Sequence, residues 1–354
     1  MMKNMYDKDS SRAIDAIDAA NRIAFAPMIF QASRALKNLG ILASIERGKG
    51  LTIEEIAADT GLTAYGVRVL CEAGLAIGLL YLAEEKFHLS KVAYFFMHNE
   101  FTTANTEFVN DVCYNGMFSL DESVRNGKPE GLKTFGTWDT VYEALSQLPE
   151  NARASWFRFD HYYSDVSFDE CLNHVLADHP RKILDIGGNT GRFAIKCLTR
   201  DENLRVTVAD LPGQLDLARR NAETSGFADR MEFAEINVLD GNQSLPAGYD
   251  ALWLSQFLDC FSENEIVSIL KRCAAALDRD ARIFILEPFW DRQRFPTSAF
   301  CLIMTSLYFT AIANGNSRIY TFSVFSELIA KAGLCIEKCT DGIGMGHTLL
   351  QIKN

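Results

Sequence analysis

The sequence predicts an α/β protein, with a parallel sheet in its C-terminal half and mainly helices in its N-terminal half. From residue 181 onward, short apolar runs alternate with segments of helical spacing, which is typical of β-α-β units. Before residue 181 the apolar positions follow helical spacing, and one pair of short strands is indicated. We therefore expect a helical domain at residues 1–100, a helical segment at 101–180 and a Rossmann-like seven-stranded domain at 181–354.

The N-terminal part contains the pattern of a winged helix. A capping box at Thr52–Glu55 starts a short helix, and Gly61 ends it. A second helix is expected at Ala64–Ala76, followed by two short strands at Leu79–Ala83 and Lys86–Leu89. Two short helices and a hairpin are the parts of a winged helix, and the apolar helices before them predict a dimerisation surface.

A winged helix also suits a DNA-binding regulator, but the charge of this region argues against that function. Residues 41–100 hold five Lys or Arg against eight Asp or Glu, and the second helix carries a single base, Arg68. A protein that reads DNA needs a positive face to neutralise phosphates. With a net charge of −11 for the whole chain, we expect no nucleic acid and no anionic membrane among its partners.

The composition indicates a cytoplasmic protein without a metal site. Residues 1–21 are polar with charges of both signs, unlike a secretory signal. The apolar stretches Ala73–Ala83 and Ala299–Ala313 are shorter than the roughly 20 residues of a membrane helix. The nine cysteines are scattered without a CxxC pair, and His174 and His179 match no zinc spacing. We therefore expect reduced thiols and no bound metal.

Seven strand-like runs lie in the C-terminal half. They are Lys182–Ile186, Arg205–Ala209, Met231–Ile236, Tyr249–Leu254, Ala281–Leu286, Leu334–Cys339 and Thr348–Ile352. The principal helices among them are expected at Gly213–Ser225, Ser262–Leu277, Thr297–Ile312 and Ser323–Ala332. Because the last two runs are close together, we expect them to form an antiparallel hairpin at the sheet edge.

The strongest local pattern is Ile183–Gly191, where an apolar strand ends in Asp185 and runs into a glycine-rich turn that opens a helix. Glycines there allow a positive φ and let a ligand lie against bare backbone. A dinucleotide fingerprint needs glycines at the first, third and sixth positions, but Asn189 and Arg192 are the third and sixth from Gly187. An acid before the turn suits a ligand with a cationic amino group and no phosphate. The alternative is a tight turn without a ligand.

A second acid, Asp210, stands at the end of the next strand, 25 residues after Asp185. A carboxylate at that place can accept hydrogen bonds from both hydroxyls of a ribose. Leu211 can then cover one face of an adenine. Alone, Asp210 would be an ordinary solvated acid at a strand end, but beside the glycine turn it predicts a nucleoside site.

These segments together resemble the class I S-adenosylmethionine-dependent methyltransferases, specifically the two-domain O-methyltransferases of plant caffeate, bacterial polyketide and hydroxyindole type. The resemblance covers nearly the whole chain. The matching segments are the winged-helix region, Asp185–Gly191 (Asp-x-Gly-Gly-Gly-Thr-Gly in the family), Val208–Pro212, Leu239–Phe261 and Glu287–Pro288.

The resemblance implies S-adenosylmethionine as the cofactor, and transfer of its methyl group to a small aromatic or polyketide-like acceptor, in most cases at a hydroxyl oxygen. It also implies a homodimer that forms through the N-terminal domain. It places Asp185, Gly187, Gly188 and Gly191 around the methionine moiety, Asp210 and Leu211 at the ribose and adenine, Asn237 and Val238 at the adenine amino group, and Ser255 and Gln256 at backbone contacts with the cofactor.

The chain departs from this family at the catalytic base. Plant-type members have His-Asp-Trp after the fourth strand, whereas this chain has Asp259-Cys260-Phe261, and the acid that orients the His falls on Ile319. An Asp with an ordinary pKa of about 3.9 is a poor base for a phenol near 10, although burial can raise its pKa. A general base contributes roughly 3–5 kcal/mol, whereas alignment of the reactants contributes roughly 7–11 kcal/mol. We therefore expect positioning to drive the reaction.

Three residues are candidates for catalysis. We hypothesise that Asp259 or His161 assists deprotonation of the acceptor, although His161 can equally be an ordinary helix histidine. By resemblance Glu287 lies near the acceptor pocket, or else it is an ordinary acid at a strand end. Two other functions remain as alternatives: a member that binds the cofactor without methylating, of hydroxylase or decarboxylase type, and a winged-helix regulator.

Two aromatic segments have two interpretations each. The run Trp156–Tyr163 suits a helix packed between domains, or a helix whose rings line an acceptor pocket. The stripe Ala299–Ala313 suits simple core, or a pocket wall.

Overall fold

The computed structural model describes residues 9, 11–278 and 281–353. It forms two compact units that divide after Thr106. The first eight residues, which belong to the segment interpreted as unlike a secretory signal, lie outside the described residues, as does Asn354. The segment after Thr106 forms one unit with the sheet, and the domain boundaries at residues 100 and 180 stay predictions.

The first unit consists of helices and one hairpin. Its elements are α1 Ala13–Ala24, α2 Ala26–Asn38, α3 Ile41–Gly48, α4 Ile53–Thr60, α5 Ala64–Ile77, β1 Leu80–Ala83, β2 Lys86–Leu89 and α6 Lys91–His98, and α7 Glu100–Phe108 crosses the division between the units. The predicted capping box is confirmed, because Thr52 Oγ1 accepts from the Glu55 backbone and Glu55 Oε2 accepts from the Thr52 backbone. Gly61 ends α4 with φ +72°. The predicted helices and hairpin of the winged helix are thus present.

The second unit contains the remaining helices and a seven-stranded sheet. Its elements are α8 Leu120–Asn126, α9 Val141–Ala144, α10 Glu150–Val175, β3 Lys182–Ile186, α11 Arg192–Arg200, β4 Arg205–Asp210, α12 Pro212–Ser225, β5 Met231–Glu235, β6 Ala251–Ser255, α13 Glu263–Ala276, β7 Arg282–Glu287, α14 Pro296–Tyr308, α15 Phe322–Lys331, β8 Cys335–Ile343 and β9 His347–Lys353. Short π-helical turns at Val109–Cys113 and Phe309–Ala313 extend α7 and α14.

The strand order of the sheet is β5-β4-β3-β6-β7-β9-β8. Strands β3 to β7 pair in parallel, and β9 is antiparallel to both β7 and β8, which confirms the predicted terminal hairpin. Strand β6 begins at Ala251, two residues later than predicted, because the Asp250 carboxylate instead accepts backbone N–H groups of Arg181 and Lys182.

Alternate residues of the sheet strands pack into two separate cores. Leu184 and Leu254 point to one face, which α13 and α15 cover. Ile183 and Trp253 point to the other face, which α10, α11 and α12 cover. Because both faces are covered, the strands are apolar at consecutive positions, as expected for a parallel sheet.

The outermost strand, β8, carries charge and an irregularity. The pairing of β8 with β9 shifts between Ile336 and Lys338, so that Glu337 lies in a bulge. The Glu337 carboxylate binds Arg282 Nε at 2.9 Å and Lys353 Nζ at 3.1 Å. Glu337 therefore ties the edge strand to its two inner neighbours.

One apolar helical stretch is longer than the sequence indicated. Pro296–Ala313, which joins α14 to its π-helical turn, is 18 residues long with a mean hydropathy of 1.4, enough by length and composition to cross a membrane. The expectation that this stretch is too short was wrong. Within the described residues, Leu302 and Tyr308 of this stretch pack into a core cluster with α7 and α10, and a core helix passes the same test.

The order of the strands reverses between β3 and β6. In parallel sheets, a ligand crevice lies outside the carboxyl ends of the strands at such a reversal. The turns that follow β3, β4 and β6 therefore open at the same place.

Candidate active site

A cavity of about 350 Å³ lies at the carboxyl ends of β3, β4 and β6. Its walls come from the turns after these strands, from α10 and from α14 with its π-helical turn. The predicted site residues that line it are His161, Asp185, Gly187, Gly188, Asp210, Leu211, Asn237, Val238, Ser255, Gln256 and Asp259.

The turn after β3 needs its glycines for space as well as for conformation. Gly187 has φ +72°, and its N–H donates to Ala209 O at 2.8 Å. A Cβ at Gly187 would lie 2.1 Å from the Phe257 ring, and a Cβ at Gly188 would lie 2.7 Å from the Asp185 carboxyl group. Side chains here would therefore collide with Phe257 and Asp185.

Asp185 ends β3 in an apolar environment. The residue is 2% exposed, and its Oδ2 has no hydrogen-bond partner among the described residues. Burial, together with the nearby Asp210, raises the pKa of Asp185 to about 8. A cationic group beside Asp185 would counteract this shift, because an opposite charge favours the ionised carboxylate.

Asp210 is held by the backbone of two turns. Its Oδ2 accepts from Asn189 N at 2.8 Å, and its Oδ1 accepts from Leu211 N at 2.7 Å. Burial raises the pKa of Asp210 to about 6, and the two N–H donors limit the shift. A carboxylate has about four acceptor positions, so each oxygen retains one for a ribose hydroxyl.

Asn237 has less freedom than the sequence suggested. Its Oδ1 accepts from Leu239 N at 2.9 Å, and its own N–H donates to Gln243 Oε1 at 3.0 Å. The amide is thus part of a local turn, and an adenine amino group at this position would share an oxygen that already has one partner. Val238 beside it supplies apolar surface to the cavity.

Ser255 and Gln256 follow β6 and face the cavity. The Ser255 hydroxyl and the Gln256 Nε2 are buried without a partner among the described residues. Gln256 has φ +46°, and its Oε1 lies 3.1 Å from Nε2 of His347. Burial lowers the pKa of His347 to about 4, so this imidazole is neutral at pH 7.

These features fit the S-adenosylmethionine that the resemblance implies. The glycine turn leaves room for a ligand against the backbone, Asp210 suits a ribose, and Asp185 suits an amino group. Buried polar atoms without a partner are rare in folded proteins and indicate a missing one. Seven of them belong to residues that line this cavity, namely Tyr142, Asp185, Asn189, Thr190, Trp253, Ser255 and Gln256.

Asp259 is the strongest candidate for a base at the acceptor end. It lies in a short turn after β6, is 7% exposed and lines the cavity. Burial raises its pKa to about 7, although the Cys260 thiol, 3.5 Å from Oδ1, donates to it and limits the rise. Its pKa is therefore much closer to that of a phenol than the ordinary aspartate value.

His161 lies in the same cavity but is a weaker base. Its Nδ1 is 3.8 Å from Asp160 and 3.9 Å from Asp165, outside hydrogen-bonding distance. Burial and the nearby Arg192 lower the pKa of His161 to about 4. The imidazole is neutral at pH 7 and has a low affinity for a proton.

Two predicted site residues do not line the cavity. Gly191, with φ +75°, precedes the first residue of α11 and lies against Ala218 and Met231. Glu287 is 1% exposed, and its Oε1 accepts from the N–H groups of Phe257 and Leu258. Glu287 was expected near the acceptor pocket, and its carboxylate is bound within the turn that presents Asp259 to the cavity.

The acceptor end of the cavity is aromatic. Phe108 and Phe159 stack with ring centroids 3.9 Å apart, and Trp156 Nε1 donates to Tyr308 OH at 2.7 Å. Ile319, at the position expected to lack the family's second acid, also lines the cavity. For the run Trp156–Tyr163, the interpretation with rings in a pocket wall agrees with the structure.

Residues of Ala299–Ala313 belong both to the core and to the cavity wall, so each of the two interpretations holds in part. Leu302, Tyr308 and Phe309 are buried and line the cavity. Phe300 and Met304 are exposed and belong to neither a core nor the cavity wall.

Sequence reasoning missed one acid and two polar groups of the site. Asp160 lines the cavity from α10, and Asn189 Nδ2 donates to its Oδ2 at 3.2 Å. Burial, together with Asp165 and Asp259, raises the pKa of Asp160 to about 7. The Tyr142 hydroxyl is buried beside the Cys260 thiol. The position of Asp160 inside the aromatic run Trp156–Tyr163 was the one sequence signal that could have indicated it.

Within the described ranges, no group of three or more His, Cys, Asp or Glu could hold a metal ion.

Comparisons with known proteins agree with this geometry. A family model described as a Dimerisation2-like domain matches residues 18–87, and one described as an O-methyltransferase domain matches residues 118–335. The chain is similar to an L-tyrosine C(3)-methyltransferase of Streptomyces lavendulae, with 23% identity over 88% of this chain and 85% of the relative. It is also similar to the aclacinomycin 10-hydroxylase of Streptomyces purpurascens, with 33% identity over 50% of this chain and 45% of the relative.

A solved structure shares the fold of the whole chain. It is an O-methyltransferase from neocarzinostatin biosynthesis, in complex with S-adenosylmethionine and 2-hydroxy-5-methyl naphthoic acid. The TM-score is 0.68 with 22% identity, over 92% of this chain and 95% of that one.

Proposed function

The chain belongs to the O-methyltransferase family and is an S-adenosylmethionine-dependent enzyme, and from this premise we propose that it methylates a hydroxyl oxygen of a small aromatic or polyketide-like acceptor. The observation that carries the proposal is the single cavity described above. It joins the glycine turn and Asp210 at one end to an aromatic wall and Asp259 at the other.

Positioning is the main contribution of the protein to this reaction. Bound S-adenosylmethionine supplies a methyl group that is already activated on a sulfonium. The residues of the chain then have to align the acceptor oxygen and keep water out, which is worth roughly 7–11 kcal/mol. Phe159, Tyr308 and Ile319 give the acceptor end flat apolar surfaces that suit a planar ring.

Asp259 assists by taking the proton of the acceptor hydroxyl. With a pKa of about 7, the carboxylate is about half ionised at neutral pH, and a proton transfer of this kind typically contributes about 10²–10⁴-fold. Glu287 acts as a positioning residue, because its carboxylate holds the backbone of Phe257 and Leu258 next to Asp259.

Two relatives favour alternative chemistry in the same cavity. The L-tyrosine C(3)-methyltransferase methylates carbon according to its name, and the aclacinomycin 10-hydroxylase is named for hydroxylation. A ring carbon needs the same alignment, and hydroxylation would leave the cofactor's methyl group in place. The winged-helix regulator has no such support, since the single base of α5, Arg68, lies 3.8 Å from Glu54.

We further propose a homodimer in a reducing compartment. The N-terminal residues match a dimerisation model, and α1 buries none of its residues. All nine cysteines are free thiols, which agrees with a cytoplasmic location.

The test combines binding and turnover. Calorimetry with S-adenosylmethionine and S-adenosylhomocysteine is expected to give heat for both ligands. Enzyme with methyl-labelled cofactor is then incubated with hydroxynaphthoic acids, catechols and phenolic amino acids, and products are analysed by mass spectrometry. A labelled methyl ether supports the proposal, a labelled C-methyl product or an unlabelled hydroxylated product supports an alternative, and no binding of either cofactor form contradicts the assignment.

A further inference from the structure

Three side chains from three elements carry oxygen acceptors in the cavity that contains the glycine turn. Asp185 Oδ2 at the end of β3 and Asn189 Oδ1 in the turn are both buried without a partner among the described residues. Asp160 on α10 is joined to this group, because Asn189 Nδ2 donates to its carboxylate at 3.2 Å. All three residues line the cavity.

The chemistry of this cluster suits a primary ammonium group. Its free atoms are acceptors, and an ammonium group offers three N–H donors. Two of its members carry carboxylates, which repel an anion and attract a cation. Arg192, whose positive charge acts on Asp160, forms an ion pair with Asp165. Asp160 accepts from Asn189, but no donor among the described residues reaches Asp185 Oδ2 or Asn189 Oδ1, which is unfavourable for buried acceptors.

We propose that Asp160, oriented by Asn189, binds the ammonium group at the amino-acid end of the cofactor together with Asp185. This inference rests on the proposed function, since it names a residue that would hold the cofactor of that reaction. It goes beyond the glycine turn, because Asp160 belongs to a helix 25 residues earlier in the chain than Asp185.

The arrangement depends on the side chain of Asn189. Asn189 stands where the family pattern has a glycine, and it keeps the left-handed conformation that a glycine would adopt, with φ +49°. Its backbone N–H donates to Asp210 and its side chain donates to Asp160. A glycine would retain the first hydrogen bond and lose the second. Asn189 thus links the acid at the ribose, through its backbone N–H, to the acid proposed at the ammonium group, through its side chain.

This difference gives a variant that preserves the turn. Asn189→Gly removes the bond to Asp160 while it retains the conformation of the backbone, because glycine adopts positive φ readily. Asp160→Asn removes the charge and keeps the shape. As a matched control, Asp169→Asn lies on the same helix, where Asp169 is exposed and pairs with Lys196.

The experiment compares two ligands by calorimetry on the full chain. S-adenosylhomocysteine has the amino-acid end, and 5′-methylthioadenosine has the same adenosine and sulfur without it. Asp160→Asn is expected to weaken S-adenosylhomocysteine roughly tenfold or more, as for loss of a hydrogen bond to a charged group, and to leave 5′-methylthioadenosine within about twofold. Asn189→Gly is expected to shift affinity in the same direction by less, and Asp169→Asn to change neither.

Equal weakening of both ligands by Asp160→Asn would show a structural role and overturn the inference. Unchanged affinity for S-adenosylhomocysteine would overturn it as well. In both cases the proposed function stands, because the wild-type protein still binds the cofactor product. If the wild-type protein binds neither ligand, the proposed function fails together with this inference.

Discussion

Burial shifts the pKa values of the two candidate bases, Asp259 and His161, in opposite directions. The same loss of solvent raises the pKa of Asp259 to about 7 and lowers that of His161 to about 4, because burial disfavours the charged form of each group. At neutral pH the carboxylate therefore binds a proton about as readily as it releases one, whereas the imidazole binds a proton weakly. Asp259 is the better base of the two.

We predict that Asp259→Asn removes the rise of the methyl-transfer rate near pH 7. In the wild type, the rate of methyl transfer should rise as pH passes about 7, because the carboxylate must be ionised to accept a proton. The amide cannot do this, so the rate above pH 7 should fall by about 10²-fold, at the low end for general bases. Single-turnover assays between pH 5.5 and 9 with labelled cofactor measure the profile.

The control for this prediction is His161→Gln, which should retain the rise near pH 7. A wild-type profile in Asp259→Asn would exclude Asp259 as the base.

The limits of sequence reasoning are clear at individual residues. Asp185 and Asp210 were predicted because each follows a strand next to a recognisable turn. Asp160 was missed because its contact with Asn189 depends on how α10 packs against the sheet, which no local pattern encodes. The charge state of Asp259 was also out of reach, since desolvation depends on residues far apart in the chain.

Among the elements, α1 has an apolar face that the described residues leave exposed. The helix buries none of its 12 residues, and Ile14 and Ile17 are 66% and 59% exposed. Isolated helices of this length are marginal in water, and most helices are stabilised by packing of an apolar face. The continuation of apolar exposure to Met28 in α2 indicates a surface that a second copy covers.

We predict that the double variant Ile14→Glu, Ile17→Glu dissociates the homodimer. Two carboxylates in an apolar interface would lose hydration without gaining a partner. The dissociation constant of the dimer should therefore rise by about 100-fold or more. Sedimentation velocity and light scattering over a concentration series measure it. As a control, Val124→Glu adds a charge at a residue that is 68% exposed in the second unit. It should leave the mass of the oligomer in solution unchanged. A wild-type monomer at every concentration would contradict the proposal.

Element boundaries were predictable where a side chain caps them and less so where packing decides. The capping box predicted at Thr52 is present, and a second one at Ser262 starts the helix expected from that residue. The π-helical turn at Phe309–Ala313 was not foreseen. Four of its five residues are buried in the core around the cavity, so tertiary packing rather than local propensity accounts for it.

For the molecule as a whole, the excess of buried acid makes stability depend on pH. Burial raises the pKa of Asp185 to about 8, of Asp160 and Asp259 to about 7 and of Asp210 to about 6. Each group binds more protons in the folded state than in the unfolded chain between its two pKa values. Stability therefore falls as pH rises through this window. The buried His161 and His347 act with opposite sign, but only below their unfolded pKa of about 6.5.

We predict that the ligand-free second unit loses stability between pH 7 and pH 8. The loss should be on the order of 1–2 kcal/mol and should derive mainly from Asp185, the last of these acids to ionise. All four tryptophans lie after Thr106, so tryptophan fluorescence during urea unfolding follows this unit. Asp185→Asn should flatten the dependence, and an increase of stability over this interval would contradict the assignment of raised pKa values.

The fold class was predictable because the alternation of strands and helices encodes it. The position of β9 between β7 and β8 was not stated, although a signal existed: Thr348–Ile352 has three apolar residues of five and no charge, whereas β8 carries Glu337 and Lys338. A strand buried on both faces needs an uncharged, mostly apolar composition, whereas a strand at the sheet edge tolerates charged residues.

The Glu337 bulge has a consequence for behaviour in concentrated solution. Unpaired backbone groups on an outer strand can recruit a strand from another molecule, which begins aggregation. The bulge interrupts that row on β8, and Glu337 holds the strand to Arg282 and Lys353. The opposite border, β5, exposes Glu232 and Glu235. Both margins of the sheet thus resist recruitment of further strands, so fibre growth has no template here.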